Sequence, residues 1–211
     1  MSSRSVPVLT PRKTPVQARS TASVEAILQA TAQVLEECGK AKLTTTRVAA
    51  RAGVSVGTLY QYFPNKSSLL QAALRQHLQG VADAVERVCE EQKGCPLRPM
   101  MERLINGFLD AKLADTRYSA AFYSVSTDVD GSRIAEEMSR LNTERIRVLL
   151  ESSPEKLAGP VKVFVFTLLG MLAGVSRKLL ETPQPERHAA AVRKEMVAMA
   201  VGYLEMSRGR W

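Results

Sequence analysis

Apolar residues recur at helical spacing almost from end to end of the chain. Val24, Ile27, Leu28, Thr31, Val34, Leu35 and Cys38 follow the i, i+3, i+4, i+7 pattern of a helix with one face on a core, and Gly39 supplies a stop. Thr44 is placed to cap a short second helix, Thr45 to Ala52, which Gly53 ends by tolerating the left-handed conformation of a tight turn. Ser55 caps a third helix from Val56 to about Tyr62, because Pro64 disfavours helical geometry at Phe63 and Asn65 is positioned to cap the next helix. That long fourth helix begins at Lys66, with Leu70, Leu74, Leu78, Val81, Val85 and Val88 on its apolar line, until Gly94, Cys95 and Pro96 break it. Further helices are predicted at about 98–114, 116–127, 132–152, 160–181 and 186–206, between breaks at Asp128 to Gly131, at Ser153 to Pro160 and at Pro183 to Pro185.

The resulting fold class is all-α. No strand pair or internal repeat is visible. The 211 residues suffice for a hydrophobic core, and aromatics make up only 5% while Ala, Leu and Val dominate, which favours helices over sheet. Three segments are expected. Residues 1–16, with Pro7, Pro11 and Pro15 and no acid, read as a disordered basic arm; 17–65 form a compact helical unit; 66–211 form a helical body.

Charge sharpens this division. Residues 1–75 hold ten of the 29 Lys and Arg against only Glu25, Glu36 and Glu37, whereas the remaining 136 residues are nearly balanced. A positive excess confined to one third of the chain is expected when that part alone meets a polyanion. A solvated basic face or an anionic membrane surface gives the same balance, so charge alone leaves the partner open.

Other chemistry is sparse. Cys38, Cys89 and Cys95 form no metal-binding pattern and read as idle thiols. His77 and His188 stand alone, without a nucleophile or metal-ligand partner at a recognisable spacing, so no catalytic residue, metal or cofactor is expected. The start lacks the apolar run of a secretory signal, which makes the cytoplasm the expected location. The most apolar stretch, Val163 to Val175, is shorter than the ~20 residues a bilayer requires, and it reads as a buried helix rather than a membrane span.

Two short helices joined by a three-residue turn, with small Ala49 four positions before Gly53, have the grammar of a helix-turn-helix. Val48, Val54 and Leu59 would pin the pair to the first helix. The segment LTTTRVAARAGVSVGTLYQYFPNKSSLL closely resembles the DNA-binding segment of the tetracycline-repressor (TetR) family, and the resemblance covers about residues 20–75. It implies an N-terminal helix-turn-helix domain followed by a ligand-binding and dimerisation domain. A recognition helix presents its N-terminal residues to base edges in the major groove, which puts Ser55, Val56 and Gly57 where sequence is read. Thr58, Tyr60 and Tyr62 are placed for phosphates, as are Thr45 and Thr46 at the start of the second helix and Lys66 at the start of the fourth. Arg47 suits either backbone or base.

The resemblance further implies a homodimer on a palindromic double-stranded operator, released by a small-molecule inducer. Such proteins mostly repress, which makes repressor the expectation; an activator of the same family and a basic membrane-surface protein are the alternatives. Phe108, Tyr118, Phe122 and Tyr123 are candidates to line the inducer pocket, with Arg103, Asn106 or Asp110 as polar anchors. Val161 to Leu180 is apolar on nearly every face and needs cover from a partner subunit. Phe164, Phe166, Leu169, Leu172 and Val175 are therefore expected to form a four-helix dimer bundle with Val197 and Val201.

Overall fold

A computed structural model describes residues 15–126, 131–157 and 159–208. The helices are α1 (Pro15–Lys42), α2 (Thr45–Ala52), α3 (Val56–Tyr62), α4 (Lys66–Glu91), α5 (Leu97–Leu113), α6 (Thr116–Ser126), α7 (Gly131–Glu151), α8 (Val161–Leu180) and α9 (Glu186–Arg208). The expected basic arm lies outside the described residues up to position 14, and Pro15 and Val16 already belong to α1. Gly39 breaks α1 with φ 71° and ψ 170°, and the final turn before α2 resumes beyond it.

Local chemistry sets the N-terminal boundaries. Thr44 accepts from the Arg47 amide, Ser55 accepts from the Thr58 amide, and Asn65 forms a reciprocal capping box with Ser68. Gly53 sits at φ 68°, a left-handed conformation that residues with a Cβ rarely adopt, and its amide returns to the Ala49 and Ala50 carbonyls.

Two buried clusters share α4. The first joins Ile27, Leu35, Val48, Leu59, Leu70 and Leu74 from the N-terminal helices to Phe122 and Val125 of α6 and Ile134 of α7. The second collects Val85 with Met100, Leu104, Ile105, Ile146, Leu168, Met196 and Leu204. Thus α4 is one rigid rod, about 39 Å long at 1.5 Å per residue, with one end in each core. The N-terminal unit is not insulated from the body, since α6 packs directly on α1. Gly107 lets α5 approach α4 closely, because a Cβ there would stand 2.6 Å from Val88 Cγ2.

By length and composition α8 is apolar enough to cross a membrane. Within the fold it packs against α7, α9 and α6, and Phe164, Val165, Leu168, Leu172 and Leu179 are buried. This corrects part of the expected dimer surface. Phe164, Leu172 and Val201 are 4%, 1% and 5% exposed, so they fill the chain's own core; Leu169, Val175 and Val197 are half-buried against it. Phe166, by contrast, is 78% exposed. It shares an uncovered face with Val163, Gly170, Ala173 and Gly174 of α8 and with Met199, Tyr203 and Met206 of α9.

Candidate nucleic-acid interface and the body pocket

Helices α2 and α3 meet where Ala49 and Leu59 are buried, and the turn is closed by the Val54 amide donating to the Ala49 carbonyl at 3.0 Å. Packing of Val48, Ala49 and Leu59 on α1 turns the opposite side of the pair outward. That outward side carries Thr46, Arg47, Ser55, Val56, Gly57 and Tyr60, all exposed, with Thr45, Thr58 and Tyr62 half-buried at its edges. Ser55 is committed as a cap, its hydroxyl 2.8 Å from that of Thr58 and accepting from the Thr58 amide at 2.9 Å. Tyr60 Oη lies 3.2 Å from Thr45 Oγ1, which ties the start of α2 to the middle of α3. Tyr62 packs against the first core, with its ring partly buried.

The cations divide into two groups. Arg51 is spent on Glu37, to which its guanidinium donates two bonds at 2.7 and 2.6 Å; the pair holds the exposed Glu37 carboxyl below its ordinary range. Arg47 donates to the Lys42 carbonyl at 3.0 Å and Lys66 to the Lys40 carbonyl at 2.9 Å. The carbonyls at the end of α1 attract these side chains as the negative end of any helix does. These two bonds hold the Arg47 and Lys66 side chains at the end of α1. Sequence reasoning placed Lys66 at the start of its own helix but not its bond to α1, which depends on tertiary packing.

A cavity of about 380 Å³ opens in the body between α4, α5, α6, α7 and α8. Of the residues proposed for a pocket, Phe122 and Tyr123 line it. Tyr118 lies behind, edge-on to Phe122 with ring centroids 4.9 Å apart. The remaining four are elsewhere. Arg103 is exposed and faces Glu91 at 4.0 Å, and Phe108 packs against the second core. Asn106 and Asp110 are both held by Arg193 of α9, at 3.1 and 2.7 Å. The cavity instead takes His77, Lys112, Ser119, Ser132 and Arg177 as polar lining. A signal for two of these was present. His77 occupies a core position on the Leu70, Leu74, Val81 line of α4, and Lys112 continues the Ile105, Phe108, Leu109 line of α5.

The polar groups of the cavity are ordered. Ser119 Oγ donates its single proton to the Lys112 carbonyl at 2.8 Å, so the His77 Nε2 at 3.4 Å from the same oxygen is the donor toward it. His77 is stacked on Phe122, and burial with the nearby Lys112 charge brings it down to about 4. Lys112 is 4% exposed and lies over the Tyr123 ring at 4.7 Å; burial lowers it to about 8. Burial pushes the Cys89 thiol up to about 11, away from the reactive thiolate form.

Comparison with known proteins finds two matching family domains. Residues 27–73 match the family described as bacterial regulatory proteins, tetR family, and residues 96–204 match the tetracyclin repressor-like C-terminal domain. The HTH-type transcriptional regulator BetI 1 of Chromohalobacter salexigens is 36% identical over 103 residues, 47% of this chain and about half the length of that relative. The nucleoid occlusion factor SlmA of Photobacterium profundum is 31% identical over 157 residues, 71% of this chain and 80% of its own. A crystal structure of a transcriptional regulator from Rhodococcus sp. RHA1 superposes with TM-score 0.67 at 20% identity, covering 90% of this chain and 99% of that one. A TetR-family transcription regulator from Marinobacter aquaeolei superposes with TM-score 0.63 at 20% identity, over 87% and 97%. A helix-turn-helix turned outward on α1 and a helical body behind α4, each matching its own half of one family, identify the chain as a member of the TetR family of DNA-binding transcriptional regulators.

Proposed function

We propose that the chain is a ligand-responsive repressor, with a reader over 17–65 and a ligand-binding and dimerisation body over 66–211. In this reading it holds a palindromic operator as a homodimer and releases it on binding a small-molecule inducer. The observation that carries the reading is the exposed first half of α3, with the Arg47 and Lys66 side chains held at the end of α1. An α-helix end of this kind fits the major groove, with Ser55, Val56 and Gly57 at base edges. Thr45, Thr46, Thr58, Tyr60, Tyr62 and Lys66 then meet phosphates, and Arg47 meets either.

Two further features support the regulatory part. The uncovered face around Phe166 and Met199 is the apolar surface a two-fold partner would cover. Leu74 and Phe122 belong at once to the cavity lining and to the core that holds the reader, so a cavity occupant presses on both. Selection of binding sites from random duplex tests the whole: it should return inverted repeats whose half-sites lie one or more turns apart, about 34–36 Å per turn. Neutralising six to ten phosphates should cost ~10³ to 10⁵ in affinity between 50 and 200 mM salt. Selection without a consensus, or a flat salt response, would refute it.

The name of the Photobacterium relative favours a second reading, nucleoid occlusion. Deleting the gene separates the two, because loss of a repressor raises transcription of its targets and leaves cell division unaltered.

A further inference from the structure

Lys112 is a buried cation in the lining of the body cavity. The residue is 4% exposed, and among the described residues its ammonium has no ion pair or hydrogen bond, only the face of Tyr123 at 4.7 Å. An enclosed ammonium without an acceptor costs several kcal/mol, so folded chains almost always supply a counterion. Among the described residues lining this cavity none is acidic. Asp115 is near enough to act on His77 but does not line the space, and Glu181 is bound to Arg177 Nε at 2.8 Å.

Three of the other polar groups of the lining are already engaged. His77 is neutral and directed to Ser119, and the Ser119 proton is directed to the Lys112 carbonyl. Arg177 stands at the rim, largely exposed and already paired. One enclosed positive charge selects a monoanion over a dianion. The volume, about 380 Å³, is far more than a halide or formate fills, and Leu74, Leu78 and Phe122 offer the rest of the occupant an apolar wall.

We infer that this cavity binds a small amphipathic organic acid, with its carboxylate on the Lys112 ammonium and its hydrocarbon part against Leu74, Leu78 and Phe122. The inference rests on the reading of the body as a ligand-responsive unit and adds the chemical class and the anchor.

Octanoate and phenylacetate, each beside its uncharged amide, are the probes, titrated calorimetrically into the full-length protein and then into its complex with operator duplex. At least one acid should bind about ten- to a hundredfold tighter than its amide, the span of one charge-assisted hydrogen bond. That preference should vanish in Lys112→Met and in Lys112→Gln, two variants that keep the stem without the charge. An acid that binds no tighter than its amide, a preference that survives both variants, or failure of both acids to bind overturns the inference. The wild-type acid-to-amide comparison stands even if the variants misfold. An acid bound through Lys112 that leaves operator affinity unchanged would sink the repressor-induction reading instead, and release of operator by the amides alone would sink only the acid anchor.

Discussion

The ammonium of Lys66, the first residue of α4, donates to the carbonyl of Lys40 near the end of α1 at 2.9 Å, linking residues 26 positions apart. An ammonium has three protons, so one bond to α1 leaves two for a phosphate. Lys66→Ala should therefore weaken binding to every duplex alike and lower the salt slope by about one unit, while costing about 1 kcal/mol of stability. Anisotropy titrations at several salt concentrations and thermal melts measure both. An unchanged slope with a lowered melting point would mean that Lys66 serves only the α1–α4 tie.

Val56 and Gly57 should behave in the opposite way. Both are exposed on the first turn of α3 and neither is committed to a side-chain bond. Val56→Ala and Gly57→Ser should change which operator is preferred, with each affected base pair worth roughly 1–3 kcal/mol. The Cβ added at position 57 meets only Ser55 Oγ, at 3.7 Å, so the fold should tolerate it. Site selection repeated on each variant is the check, and an unaltered consensus in both would place the readers elsewhere.

Gly107→Ala probes the crossing of α4 and α5. The new Cβ would lie 2.6 Å from Val88 Cγ2, and a β-branched side chain in a helix has little rotamer freedom to retreat. The expected loss is about 1–3 kcal/mol. Adding Val88→Ala should restore part of it, because Val88 Cβ is 3.8 Å away and the clashing methyl is gone. If denaturant melts show no loss in the single variant, the two helices have more room than their packing implies.

The reader was far more legible in sequence than the body. Thr44, Gly53, Ser55 and Asn65 act on groups within four residues of themselves, so the limits of α2 and α3 follow from local capping chemistry alone. The pocket depends on which helix faces which. Asn106 and Asp110 have the right chemistry for a ligand, yet α9 brings Arg193 against them, and no local pattern on α5 announces that partner. In α8 periodicity lost its contrast: where nearly every position is apolar, Phe164 and Phe166 cannot be told apart, although one is buried and the other open. The informative exceptions were the polar intruders, His77 and Lys112 on core lines, whose positions mark the cavity more directly than its aromatics do.

Phe166 gives the proposed dimer its sharpest test. At 78% exposure it contributes little to the protomer's own core, so Phe166→Asp should leave the far-ultraviolet circular dichroism unchanged while converting dimers to monomers by light scattering. Leu172→Asp should differ, because at 1% exposure it would bury a charge and unfold the chain. A dimer of undiminished stability in Phe166→Asp would move the interface off the α8–α9 face.

His77 predicts an acid-sensitive window that the carboxylates cannot produce. Burial first, and then the Lys112 charge, lower it from 6.5 to about 4, with Asp115 opposing. Between those limits the unfolded chain binds the imidazole proton and the folded chain does not. Stability from this group is thus complete above about pH 6.5 and is lost as pH falls toward 4, by about 3 kcal/mol at most. The carboxyls of Glu37, Glu137, Glu144 and Glu186 are also held low, by Arg51, Arg75, Arg147 and Thr116, but their contributions fade only below their ordinary 4.5. Falling stability between pH 6.5 and 5 therefore isolates His77. His77→Phe keeps the stack on Phe122 and leaves the Ser119 proton on the Lys112 carbonyl, so the variant should fold and should melt at nearly the same temperature across that range. Equal acid sensitivity in variant and wild type, read by thermal melts at half-unit pH steps, would show that some other group titrates in the window.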